Sequence, residues 1–282
     1  MKMPFAKYSL FFFLLVISLS TACRSSAPER EKLPGQAQSQ SSKVKQATKV
    51  GIYDPASSTF LLRKNDTPGS VDLILKFGRD GDLPLAGDWD GNGAVTLGVY
   101  RPSNATFYLN NSDTPDDPGI AIEFGLKGDI PVSGDWDGDG ITTIGVYRPS
   151  NSTFYLRNSN TSGGADVVVP LGISGDVPVV GDWDGDGTTT IGVYRRSNST
   201  FYLRNSNTPG DPDLVVKFDL KGDTSKDIPL AGDWDGNGTV TIGLWRSGIF
   251  YLRNSNTPGG PDITVEYGLP VHIPVVGRWD DI

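Results

Sequence analysis

The sequence predicts an all-β fold: a five-bladed β-propeller with four-stranded blades. Three observations carry that expectation. A GDWDG motif recurs with its first aspartates at Asp88, Asp135, Asp182 and Asp233, spaced 47, 47 and 51 residues apart, a period that belongs to repeat arrays. Each period holds four short β-prone pieces separated by turn residues. The chain enters the pattern at the second piece and leaves it after the first.

One full unit, DIPVSGDWDGDGITTIGVYRPSNSTFYLRNSNTSGGADVVVPLG at 129–172, shows the four pieces. IPVSG, TTIGVYR, TFYLR and ADVVVPL are rich in Val, Ile, Thr, Tyr and Phe, which suit a pleated, half-buried surface. Between them lie WDGDG, RPSNS and NSNTSGG, loaded with the Gly, Pro, Asn, Asp and Ser that tight turns demand. No stretch of 50–282 has the period of an amphipathic helix.

The first piece occurs five times, ending at Trp89, Trp136, Trp183, Trp234 and Trp279. The second also occurs five times, containing Tyr53, Tyr100, Tyr147, Tyr194 and Trp245. The C-terminal strand therefore supplies what the N-terminal three strands lack, and the ring closes through one composite blade. Closure leaves no long exposed sheet edge and needs no disulfide. Variation between copies falls in connections: four extra residues in KGDTSKDIP near 221–229, and the hairpin RSGIF at 246–250, two residues shorter than RRSNSTF at 195–201.

Ahead of the repeats, residues 1–22 read as a secretory signal, with Lys2 and Lys7 before an apolar run from Leu10 to Leu19 that is shorter than a membrane span. Its end resembles a bacterial lipobox, with Ala22 before Cys23, although Leu19 sits one place early. The resemblance implies a lipid on Cys23, the single cysteine of the chain, which has no intramolecular disulfide partner. Residues 23–49 are poor in large apolar side chains and read as a flexible tether; 50–282 is the propeller. This organisation predicts an exported monomer held to a bacterial membrane through its lipid alone. Arg24 after the cysteine favours the outer membrane or cell surface.

Charge narrows the partners. The signal carries +2 and the tether +4, which leaves −14 on the propeller within a chain of net −8. Such an acidic body argues against nucleic acid.

In the Asp motif, alternate carboxylates on a tight turn converge their oxygens, the arrangement that hard cations such as calcium require. Capping of the turn by side-chain to backbone bonds is the competing reading. On these loops the chain resembles the FG-GAP/VCBS repeat family, whose blades carry D-x-D-x-D-G-x-x-D calcium loops, and the likeness extends over essentially all of 50–282. It implies as ligands Asp88, Asp90 and Asn92; Asp135, Asp137 and Asp139; Asp182, Asp184 and Asp186; and Asp233, Asp235 and Asn237. The ninth position, acidic in that family, is Thr96, Thr143, Thr190 and Thr241 here, which predicts weaker calcium binding.

Two further side-chain types recur. Arg101, Arg148, Arg195 and Arg246 follow the second piece, with Asp54 replacing them in the first blade. They are read either as ligand-binding groups or as partners of aspartates on neighbouring blades. The aromatic pairs at 107–108, 154–155, 201–202 and 250–251 should send one ring inward by strand alternation. That leaves Tyr108, Tyr155, Tyr202 and Tyr251 free to stack on sugar rings. Repeated sites would make a multivalent binder of glycan or of an envelope protein; a structural scaffold of the cell envelope is the alternative. Catalysis is not expected, because nearly every Asp has counterparts in other copies and no GxSxG, P-loop or HExxH motif occurs. The single histidine, His272, stands where other units have Asp129, Asp176 or Asp227 and reads as structural.

Overall fold

A computed structural model describes residues 46–65, 71–112 and 119–279. The signal, Cys23 and the tether as far as residue 45 lie outside the described residues. The rest forms five four-stranded antiparallel sheets arranged as the blades of a propeller. Blade 3 is typical, with strands Ile130–Gly134, Thr143–Arg148, Thr153–Leu156 and Val167–Pro170 from the inside outward. Blades 2, 4 and 5 repeat it with inner strands Leu83–Gly87, Val177–Gly181 and Ile228–Gly232.

Blade 1 is the composite one. Its inner strand is the C-terminal Ile273–Gly277, paired with Lys49–Asp54 in the register Val50 to Val276, Gly51 to Val275 and Ile52 to Pro274. The N-terminal strand begins at Lys49, one residue before the boundary read from the sequence, and the chain is already held at Thr48. The Thr48 amide donates to the Asp233 carbonyl at 2.6 Å, and its hydroxyl accepts from the Asp233 amide at 3.0 Å. The same clasp joins Thr142 to Asp88 and Thr189 to Asp135, each Thr belonging to the blade after its partner.

Burial follows from stacking blade on blade. The second strand has a neighbour on both faces, so Thr143–Arg148 is buried at five of its six positions. The core is accordingly a ring of five layers, each joining a blade to the next. Ile144 and Val146 pack on blade 2, Ile242 and Leu244 on blade 4, and Val50 and Ile52 on blade 5; Leu97 and Val99 complete the circuit against Val275 and Trp279 of blade 1. The motif tryptophans fill these layers. A Cβ on Gly134 would lie 2.5 Å from Thr189 and 2.8 Å from the Trp136 ring, so glycine is what lets the indole lie flat.

The inner strands surround a central channel of about 230 Å³. Pro84, Pro131, Pro178, Pro229 and Pro274 line it, as suits edge strands, where the missing N–H leaves no ladder bond unmade. The extra residues between blades 4 and 5 form a short 3₁₀ turn, Thr224–Lys226, capped by Asp223.

A pair of candidate clefts between blades

Strand alternation places the aromatic pairs as expected: Phe107, Phe154, Phe201 and Phe250 are fully buried, while Tyr108, Tyr155, Tyr202 and Tyr251 are half-buried. Each recurring Arg ends a second strand beside its Tyr. The Arg148 guanidinium lies 4.2 Å from the centre of the Tyr155 ring, and Arg101 over Tyr108 and Arg195 over Tyr202 both lie at 4.3 Å, within cation–π range.

The edge of each guanidinium meets a buried carboxylate. Arg148 donates through Nε and Nη2 to the two oxygens of Asp129 at 2.9 and 2.8 Å, and Asp129 also accepts the Leu126 amide at 2.8 Å. Arg101 with Asp82 and Arg195 with Asp176 repeat this bidentate geometry, and Arg246 holds Asp227 at 2.5 and 3.0 Å. The sequence reading assigned such partners to neighbouring blades. The structure corrects it: each Asp stands at the mouth of the same blade as its Arg, because the inner and second strands are paired and bring the two ends together. At blade 5 the neighbouring blade adds a phenol, Tyr194 donating to Asp227 at 2.9 Å. Burial, and secondarily the Asp129 charge, pushes the Tyr100 phenol up to about 12.

Two of these Arg–Tyr pairs line open clefts at successive blade boundaries. The cleft between blades 2 and 3, about 500 Å³, is lined by Arg148, Tyr155, Asn104, Ala105, Glu123 and Phe124 among others. The cleft between blades 3 and 4, about 380 Å³, is lined by Arg195, Tyr202, Asn151, Ser152, Pro170 and Leu171 at the equivalent positions. Ala105 and Ser152 hold positive φ angles of 52° and 51° at the hairpin corners that form one lip. The Tyr155 and Tyr202 hydroxyls accept from Asn151 and Asn198 of their own hairpins at 3.0 and 2.9 Å, which fixes the rings. Both volumes fall in the range of small-molecule sites.

The remaining candidates behave differently. Arg101 and Tyr108 are stacked, but the loop 113–118 of that blade lies outside the described residues. At the boundary of blades 4 and 5 the backbone closes the space: Asp219 donates to Gly259 O at 2.9 Å, and Gly259 to Lys217 O at 3.1 Å. The shortened hairpin of blade 5 has no Asn to hold Tyr251. Blade 1 departs from the pattern, with Asp54 in place of Arg and His272 in place of Asp; His272 Nδ1 accepts the Leu269 amide at 3.0 Å, as Asp129 accepts that of Leu126. Arg157 and Arg253, which also recur, are bound up in their own loops: Arg157 donates to Thr161 O and Gly164 O at 2.5 Å.

The Asp loops do not meet the clefts; none of their residues lines either one. In each loop the first aspartate caps the turn, Asp135 accepting from Gly138, Asp139 and Gly140 at 2.8, 3.1 and 2.8 Å. Asp182 does the same for Gly185, Asp186 and Gly187, and Asp88 and Asp233 cap theirs through Gly93 and Gly238. Even so, Asp135, Asp137 and Asp139, and likewise Asp182, Asp184 and Asp186, bring ligand oxygens within 4.8 Å of one another. Loss of water around Asp137, followed by the charges of Asp139 and Asp135, holds its carboxyl above the usual range. The other two loops place Asn92 beside Asp90 and Asn237 beside Asp235, at 3.2 and 3.1 Å. The ninth-position threonines are committed elsewhere: Thr96, Thr143, Thr190 and Thr241 donate to Gly87, Gly134, Gly181 and Gly232 carbonyls at 3.1–3.3 Å. The all-carboxylate loops thus fit a divalent cation with three side-chain groups each.

No family model matches the chain, and no curated protein matches it in sequence. Among solved structures it is similar to a lectin of Agrocybe aegerita described as specifically recognising non-reducing terminal N-acetylglucosamine. The identity is 16%, the TM-score 0.47, and the match covers 79% of this chain and 66% of the lectin. A chain from the structure of BBS1N in complex with ARL6DN matches at 10% identity and TM-score 0.42, covering 73% of this chain and 65% of its own. The chain thus spans just under two thirds of the length of each.

Proposed function

We propose that the protein is a non-catalytic binding module that engages carbohydrate through its repeated inter-blade clefts. One observation carries this reading: the same cleft is built at successive boundaries from equivalent residues, with a fixed aromatic ring, a guanidinium and a polar hairpin lip. Aromatic faces suit the apolar side of a sugar ring, and the polar lip suits its hydroxyls. Two sites on one rigid ring gain avidity from a polymer that presents repeated units. We further propose that the chain is exported and tethered through a lipid on Cys23, so that the clefts face a polysaccharide surface.

The test is a glycan array probed with the full-length protein, once in calcium and once in chelator. Hits in both conditions are expected, since no Asp-loop residue lines a cleft. A blank array in both would overturn the reading and favour an envelope scaffold, to which the exposed Leu126, Ile173, Leu269 and Val271 on the connections between blades would lend a docking face. Calcium is a separate proposal for the loops around Asp135 and Asp182. Millimolar calcium should raise the melting temperature over that in chelator, and an unchanged melt with no bound metal would end it.

A further inference from the structure

On the saccharide reading, we infer that the clefts select ligands bearing a protonated amine and reject acidic ones. The recurring arginines invite the opposite conclusion, an anion site. Their charge, however, is already answered. Asp129 and Asp176 are buried, accept two bonds each from Arg148 and Arg195, and neutralise them in place. What remains in each cleft is one carboxylate: Glu123 in the first and Asp211 in the second. Both are exposed, and neither makes an ion pair among the described residues.

The two acids stand at different places. Glu123 ends the outer strand of blade 2, where blade 3 has Pro170; Asp211 belongs to a loop of blade 4, where blade 3 has Gly164. The repeat therefore does not copy an acid from cleft to cleft. It places one carboxylate without an ion pair among the described residues at each cleft, from opposite lips, with the Arg204 guanidinium donating to the Asp211 backbone carbonyl in the second. A cation brought beside such a carboxylate gains attraction, and an anion is repelled, in proportion to how much water the cleft excludes.

The experiment titrates the full-length protein with three short oligosaccharides: a glucosamine oligomer with free amines, its N-acetylated counterpart and an oligouronate. The first two share a backbone, so their ratio isolates the charge. At a pH that protonates the amine, the free-amine oligomer should bind about fivefold more tightly than the acetylated one, the scale of one solvent-exposed ion pair, and the uronate most weakly. The preference should shrink with added salt. Glu123→Gln with Asp211→Asn should abolish it, bringing the affinities for the amine and acetyl forms together.

The acidic body could attract any polycation, so Tyr155→Ala with Tyr202→Ala serves as control. It keeps every charge, and binding of the free-amine oligomer should nevertheless fall. Equal affinity for amine and acetyl forms, or tightest binding of the uronate, would overturn the charge selection and leave the saccharide reading standing. Binding of none of the three would overturn the charge selection, with the array deciding the saccharide reading separately.

Discussion

Replacing Asp129 by Asn removes one charge and little volume, and its cost can be worked from the contacts. The carboxylate is 2% exposed and accepts Arg148 twice and the Leu126 amide once, at 2.8–2.9 Å. Asn keeps one acceptor oxygen but turns an NH₂ toward the guanidinium, leaving a cation uncompensated. Breaking a fully buried pair from one side costs about 3–5 kcal/mol. Arg148 is 20% exposed, so water answers part of its charge, and about 2–4 kcal/mol is expected here. At about 2–4 °C per kcal/mol for a domain of this size, the melting temperature should fall by about 4–16 °C. The assay is a double-mutant cycle with Arg148→Met, read by denaturant unfolding. Asp129→Asn with Arg148→Met should recover to within about 1–2 kcal/mol of the parent, because no charge is left uncompensated and only one amide NH₂ lacks a partner. A single Asp129→Asn change below about 0.5 kcal/mol, with no coupling in the cycle, would refute the claim that these pairs hold the blade mouths together.

Two other predictions concern closure and pH. Trp279 is fully buried in the layer between blade 1 and blade 2, so Trp279→Ala should cost about 3–5 kcal/mol. Val271→Ser, at a side chain 70% exposed, should leave the unfolding midpoint within the error of the parent; equal effects would contradict the closed ring. In alkali, burial raises the phenols of Tyr53, Tyr100, Tyr147, Tyr194 and Tyr267, with Tyr100 and Tyr267 at about 12. The unfolded chain releases these protons from about pH 10 while the fold retains them, so stability should fall between about pH 10 and 12. Phenolate absorbance should then rise together with the loss of β-sheet circular dichroism; ionisation of the full tyrosine complement in a still-folded protein would contradict it.

Much of the fold was legible because a repeat states its period openly. Strand number, the composite blade and the inward and outward aromatics follow from comparing copies along the chain. The Arg–Asp pairs were also within reach: Asp82 and Arg101, Asp129 and Arg148, Asp176 and Arg195, and Asp227 and Arg246 all stand 19 residues apart. Their assignment to neighbouring blades failed because strand pairing within a blade brings these ends together, whereas linear repetition does not show which ends meet. Contacts between blades were hidden more deeply. Asn160 donates to Trp89 O across 71 residues, and Thr142 accepts from Asp88 across 54; no local pattern marks either. Thr48 carried a signal, since it aligns with Thr142 and Thr189, but it stands in tether-like composition. The closure at Gly259 depends on where one backbone lies relative to another, and repeated residue types do not encode that.

The central claim is that the clefts bind saccharide, and it is tested most directly by retention on immobilised polysaccharides chosen from the array. The parent would be compared with Tyr155→Ala, Tyr202→Ala and the double variant, each first shown to melt as a folded protein. Each single variant keeps one cleft and so should lose the avidity gain, about 100-fold or more, and the double should not be retained. Retention of the folded double variant at the parent's strength, or no retention of the parent on any polysaccharide, would contradict the account.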